Sequence, residues 1–367
     1  MFNREKLVLA VATLLCVFSS STAAFAATEP RMDESAAEAA SLNNMAVTSA
    51  KDNKYDEAID LLKRAIALRP DQYMAHYNLG CIFQVKKNFD LSIEAFKETL
   101  RLKPEFADAY HHLGVSYNET KRYADAIESL NGALRLTPDN ADSLYELGFA
   151  YYMLGRDEDA VNEFKQATRL KPDSSAAYNS LGVSYCHLHQ FKEAIESLER
   201  AAHLAPDSAD VYNNLGSVYV DDGRPKEAIS AFTQALRLKP DYPAALNNLG
   251  MAYASIEDYD RAIESLQQAT RLKPDLAEAQ YNLGFVFSKK GRAKLAIKSY
   301  EQALLLKPDF AEAHNNLAVI YVQRGDRARA LEQYTLLKAI DYDLAQKLFA
   351  MIFKDKILTV GSRSGTP

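Results

Sequence analysis

An all-α solenoid of nine tandem helical hairpins is the fold class that this sequence predicts, and three observations carry it. Eight of the 12 prolines, running from Pro70 through Pro104, Pro138, Pro172, Pro206, Pro240 and Pro274 to Pro308, follow one another at intervals of 34 residues. Glycine and alanine recur at that same interval. Apolar residues inside each interval fall at helical spacing in two blocks. A fixed period of this length marks a repeat array, where 367 residues would otherwise suggest two or three globular domains.

Residues 1–26 read as a secretory signal. Arg4 and Lys6 supply its positive start, Leu7 to Phe18 a 12-residue apolar core, and Ala24-Phe25-Ala26 a small-x-small cleavage site, with cleavage expected after Ala26. The apolar run is short of the roughly 20 residues a membrane span needs, and no later segment is apolar enough to cross a bilayer. Periplasmic or secreted localisation is therefore expected. Residues 27–38 form a polar linker and the start of the first helix. Cys81 and Cys186 lie three repeats apart, too far to form a disulfide within one molecule.

Counting each proline as residue 32 of its repeat starts the nine repeats at Ala39, Tyr73, Ala107, Ala141, Ser175, Ala209, Pro243, Ala277 and Ala311. Position 8 is then Gly80, Gly114, Gly148, Gly182, Gly216, Gly250 and Gly284, and position 20 is Ala in every repeat except for Ser92. Position 7 is Leu from Leu79 to Leu317, and position 11 is Phe or Tyr from Phe83 to Tyr321. Small residues at 8 and 20 let two helices approach, and large ones at 4, 7, 11 and 24 fill the space between. Each proline ends the preceding helix, because it lacks the N–H that the helix requires. The acid after it, such as Asp71, Glu105 or Asp139, is expected to cap the next helix, and the Lys or Arg before most prolines suits the negative helix end.

Both ends depart from the pattern, as terminal repeats facing water should. Repeat 1 carries Met45, Ala46 and Ser49, and repeat 9 carries Ala318, Leu337 and Tyr342 at otherwise regular positions. The repeats occupy 39–344. Residues 343–356 are expected to form a capping helix with Leu344, Leu348, Met351 and Ile352 on one face, and 357–367 a disordered tail.

These positions resemble the tetratricopeptide repeat, and the resemblance spans 39–344. It implies a right-handed α-solenoid in which positions 2, 5, 6, 9, 12 and 13 of each first helix line a concave groove that binds protein or peptide. Position 6 is Asn44, Asn78, Asn214, Asn248, Asn282 and Asn316 in six repeats, and His112, Glu146 and Ser180 in repeats 3 to 5. This column is similar to the asparagine ladder in the repeat domain of O-linked N-acetylglucosamine transferase. An Asn amide offers donor and acceptor together, matching an extended peptide backbone. The same column also fits asparagines that cap contacts between repeats, or that persist from a duplicated ancestor. In repeat 4, Tyr145, Phe149, Tyr152 and Met153 place four large groups along one stripe, an expected apolar anchor for a partner.

Charge narrows the partner. Asp108, Asp142, Asp210, Glu278, Glu312, Glu119, Glu146 and Asp221 fall at groove positions against Lys51 and Lys289. Neutral or basic segments are expected to bind. A net charge of −6 with no basic stripe argues against nucleic acid. No catalytic motif, cofactor signature or phosphate-binding loop is present, so a non-catalytic scaffold without cofactor is expected. Cys186-His187-Leu188-His189 places its two histidines about 200° apart on a helix, so they read as surface residues and not as a metal site. Asn118-Glu119-Thr120 matches a glycosylation sequon but falls on a groove-facing helix. The competing functions are a structural subunit that uses the convex face, and a targeting module for a separate enzyme.

Overall fold

The computed structural model describes residues 34–361. The expected signal at 1–26, most of the linker and the last six residues lie outside the described residues. Among those described there are 19 α-helices and no strand. The chain divides into two compact units, the first ending at Ala205 and the second beginning at Pro206.

The first unit holds five hairpins: α1 (Glu34–Lys51) with α2 (Tyr55–Leu68), α3 (Tyr73–Val85) with α4 (Phe89–Leu102), and α5 (Ala107–Glu119) with α6 (Tyr123–Leu136). They are followed by α7 (Ala141–Met153) with α8 (Asp157–Leu170), and α9 (Ser175–His187) with α10 (Phe191–Leu204). The second unit holds four hairpins: α11 (Ala209–Asp221) with α12 (Pro225–Leu238), and α13 (Pro243–Ser255) with α14 (Tyr259–Leu272). Next come α15 (Ala277–Lys289) with α16 (Ala293–Leu306), α17 (Ala311–Gln323) with α18 (Arg327–Ile340), and a last helix α19 (Tyr342–Gly361).

Each hairpin closes on its small residues. The alanines at position 20 are fully buried, and Ser92 at that position buries its hydroxyl by donating to the Gly80 carbonyl at 3.0 Å. A Cβ at Gly80 would meet the Phe96 ring at 2.7 Å, and one at Gly114 would meet Leu130 Cγ at 2.5 Å. Position 8 is thus the seat for the large residue at position 24. The turn between helices places residue 15 of all nine repeats in the left-handed region, with φ from +57° to +76°. Four of those residues are glycines; Asn53, Lys87, Lys121, His189 and Glu257 adopt the same conformation without that freedom.

Capping differs from expectation by one residue. The acid after each proline precedes the N-cap, which is residue 34. Asn140 accepts a hydrogen bond from the Ser143 N–H at 2.8 Å, and Ser174 and Ser208 cap their helices in the same way. Asp71 pairs instead with Arg69 at 3.1 Å.

In each unit the odd-numbered helices of successive hairpins touch one another, whereas the even-numbered ones have little contact. The odd-numbered helices therefore form the inner layer of each unit. In the second unit α19 closes the stack, packing on α17 and α18 with Ala345, Leu348 and Ile352 buried. It overlaps the expected capping helix and continues five residues into the expected tail. Met351, expected on the buried face, is exposed, because Ala345, Leu348 and Ile352 define a stripe that leaves it to one side.

Candidate functional site

The inner layer carries two rows of polar side chains whose register is set by the stacking of hairpins. Residue 5 of one repeat faces residue 6 of the next, 35 residues on. In the first unit Asn78 Nδ2 donates to Asn43 Oδ1 at 2.9 Å, and Tyr145 hydrogen-bonds Ser180. In the second unit Asn248 donates to Asn213 at 3.2 Å, Asn282 to Asn247 at 2.9 Å, and Asn316 to the Tyr281 hydroxyl at 3.1 Å. Asn247 also reaches Asn248 Oδ1 at 3.4 Å. One amide chain therefore runs Asn282, Asn247, Asn248, Asn213 through three hairpins. A primary amide has two N–H groups; Asn316 uses both on the preceding repeat, at Tyr281 and Tyr300, and Asn78 is buried at 2% exposure, whereas Asn248 and Asn282 are half-buried.

A second link joins residue 12 of one repeat to residue 6 of the next in the first unit. Gln84 donates to the His112 carbonyl at 3.2 Å, and Asn118 donates to Glu146 Oε2 at 2.8 Å. His112 stacks on Phe96 with ring centroids 5.6 Å apart. Burial, reinforced by the neighbouring His111, lowers its pKa to about 3. His111 is held down by burial as well, against the pull of Asp142 and Asp108.

Tyr145, Phe149 and Tyr152 belong to one apolar cluster built on Val161, Phe164 and Leu181. Tyr145 packs on Phe164 at 5.6 Å, and Phe149 meets Tyr123 edge-on at 6.5 Å. Burial, then the Glu146 charge, raises the Tyr145 phenol. Tyr152 is pushed up to about 12 by burial, then by Asp157 and Cys186. Met153 is 40% exposed beside them. On the outer side of this unit an open cleft of about 430 Å³ lies between α8 and α10, lined by Lys165, Arg169, Tyr178, Tyr185, Glu193 and Glu196.

Family models of the tetratricopeptide repeat match residues 50–87, 116–155 and 289–325, and two further ones match 313–348 and 75–106. The chain belongs to the tetratricopeptide-repeat family. A model described as the C-terminal domain of cilia and flagella-associated protein 70 matches residues 143–304. Among solved structures, the Cut9–Hcn1 hetero-tetramer of APC/C is similar at 21% identity and a TM-score of 0.55, covering 81% of this chain and 58% of that one. PilF of Pseudomonas aeruginosa is similar at 21% identity and 0.50, covering 57% of this chain and 96% of that one. MamA is 28% identical over 45% of this chain and 97% of that one, with a TM-score of 0.42. The first two likenesses carry the fold alone. A comparison with curated proteins gives no significant match.

The chain thus belongs to a family of protein-interaction scaffolds whose members are generally not catalytic. Its inner layer brings Asn78, Asn248, Asn282 and Asn316 into the inter-repeat row, with Asn214 half-buried and Asn44 exposed at the start. Asn118 is buried against Glu146, which closes the sequon to a glycan. Sequence reasoning missed two things. The residue-5 partners Asn43, Asn213 and Asn247 were visible as Asn-Asn dipeptides. His187, expected as an isolated surface residue, instead meets Asp157 and Tyr152; the signal was an acid at position 17, which is aromatic in the other four repeats of that unit.

Proposed function

We propose that this chain is an extracytoplasmic tetratricopeptide scaffold, periplasmic or secreted, that docks extended polypeptide segments on its inner helical layer. The observation that carries this reading is the presence of exposed apolar side chains on that layer. Val85 and Met153 in the first unit and Val220 in the second occupy positions 12 or 13 and are exposed. An exposed apolar side chain in a row that faces a partner is where association gains most from desolvation. Tyr145, Phe149, Tyr152 and Met153 serve as the apolar anchor. Of the asparagine column, Asn44 is exposed and Asn214, Asn248 and Asn282 are half-buried, and these meet the peptide backbone; Asn78, buried, and Asn316, bonded to Tyr281 and Tyr300, hold the hairpins together instead. Among the described residues no helix is long and apolar enough to cross a membrane.

Selection of a phage-displayed random 12-residue peptide library on the full chain tests the reading. Enrichment that Met153→Asp with Val85→Asp abolishes, and that Lys165→Glu in the outer cleft leaves unchanged, supports it. Enrichment sensitive only to Lys165→Glu would move function to the convex face. Export is tested separately, by expressing the full chain in a Gram-negative host, fractionating the cells and sequencing the N-terminus of the product. A product retained in the cytoplasm with residue 1 intact would overturn the localisation.

A further inference from the structure

We infer that Asp157, His187 and Tyr152, at the edge of the inner layer between repeats 4 and 5, seat a basic side chain of the docked peptide. The inference rests on the scaffold reading and names the chemistry of its ligand. Its starting point is a departure from the repeat itself. Position 17 opens the second helix, and in the first unit it is Tyr55, Phe89, Tyr123 and Phe191, each an aromatic side chain. Repeat 4 alone there puts a carboxylate at this place, Asp157. The same repeat puts the only aromatic residue of row 12, Tyr152, where the others carry Ala50, Gln84, Asn118 and Cys186. The next repeat puts the only histidine of row 13, His187, in the same neighbourhood.

The three side chains meet. His187 Nδ1 lies 3.3 Å from Asp157 Oδ1, and its Nε2 lies 3.4 Å from the Tyr152 hydroxyl. The His187 and Tyr152 rings are 5.1 Å apart. The Asp157 side chain is only 17% exposed, and its Oδ1 is buried without an aligned hydrogen bond. The imidazole faces that oxygen at ion-pair distance but off the line of a hydrogen bond. A buried carboxylate oxygen in this condition calls for a donor. His187 ends α9 with its side chain 49% exposed, so turning it aside needs no repacking of the core.

Charge at the inner positions of the same hairpins points to a cation as that donor. Repeats 3 to 5 place Asp108, Glu119, Asp142 and Glu146 at those positions and no Lys or Arg at any of them. Lys171 reaches in to Asp142 at 3.4 Å, leaving an acidic excess even so. Beside the carboxylates lie Phe149, Tyr152 and Met153, a strip suited to the methylene stem of Lys or Arg and to a cation over an aromatic face. The occupant is therefore a peptide segment with Lys or Arg next to an apolar residue, its charged end at Asp157 and its stem along Tyr152 and Met153.

The test uses peptides selected on the full chain from the random 12-residue library, resynthesised with a fluorophore and measured by anisotropy. Selected peptides are expected to carry a basic residue, and replacing it with citrulline or norleucine should weaken binding about tenfold, as expected for a hydrogen bond to a charged group. Asp157→Asn should cost the charged peptide a similar factor and the citrulline peptide nothing. Asp157→Tyr, which restores the aromatic residue of that row, should keep the fold and abolish the preference for charge. Asn282→Ala should leave the preference intact. Equal binding of charged and neutral peptides, or a charge preference that survives in both Asp157 variants, overturns the inference while the scaffold reading stands. Failure of any peptide to enrich on the folded chain overturns both.

Discussion

Replacing Asn248 with Ala cuts the amide chain of the second unit at its middle. Two hydrogen bonds go: the donation to Asn213 Oδ1 at 3.2 Å and the acceptance from Asn247 Nδ2 at 3.4 Å. The second is long, and Asn247 is half-buried, so water replaces it at little cost. The first leaves Asn213, 7% exposed, with an acceptor that has lost its donor. Stranding a buried neutral acceptor costs about 1–3 kcal/mol, and that range is the expected destabilisation. Repeat arrays unfold by segments, so a urea midpoint registers a loss of stability without saying which hairpins loosen. Amide hydrogen exchange resolves them, and the loss of protection should concentrate in α11 and α13. A double-mutant cycle with Asn213→Ala should give a coupling of about 0.5–1.5 kcal/mol. If the two substitutions add to within about 0.3 kcal/mol, the amide row is not joining hairpins and this account of it fails.

Gly148→Ala should destabilise the first unit by up to about 2 kcal/mol, since a Cβ there meets the Phe164 ring at 2.9 Å and overpacking outweighs the gain in helix propensity; thermal unfolding measures it. Lys121→Gly should stabilise by some tenths to about 1 kcal/mol, because φ is +62° at that turn, and no gain in urea resistance would contradict the left-handed assignment. Asn140→Ala should cost about 1 kcal/mol by removing the cap on α7, read from the denaturation midpoint. His112 supplies a pH dependence. Its folded pKa, lowered to about 3 by burial and by His111, lies below the unfolded value near 6.5. Above pH 6.5 both states are neutral there. As pH falls toward 3 the unfolded state takes up the proton first, so stability is lost across that window. His112→Gln should flatten this limb of the pH–stability curve, and an unchanged limb would place the acid sensitivity elsewhere.

The period, the two-helix hairpin and the small residues at positions 8 and 20 were legible because they recur in almost every repeat; the structure adds that position 8 seats position 24. One glycine facing a Phe, Leu or Tyr is ambiguous; seven in register are not. The left-handed turn residue was not legible, because five of the nine are not glycine and the backbone bears the strain unmarked in sequence. The cap was placed one residue early, because Asp71 and its counterparts are chemically apt and only backbone geometry shows that the helix begins later. Met351 was put on the buried face by spacing that a helix tolerates to within one residue. The asparagine column was found, but its partners one residue earlier were not, since pairing across 35 residues depends on how far each hairpin rotates on the last.

An array of near-identical hairpins supplies its own control for separating packing from binding. A residue that must meet the same neighbour in every repeat is held constant, as the buried alanines of position 20 are. Rows 12 and 13 meet no such constraint, and in the first unit row 12 passes through Ala50, Gln84, Asn118, Tyr152 and Cys186 without repeating. Rows 5 and 6 of the second unit behave oppositely, returning Asn or Tyr at residue 5 and Asn at residue 6 in all four repeats. Their side chains bond from one repeat to the next, so the constancy of these rows is the mark of packing between hairpins. A varied row can distinguish side chains. On this reasoning substitutions in row 12 or 13 of the first unit should alter which peptides bind there, and substitutions in row 6 of the second should loosen its hairpins.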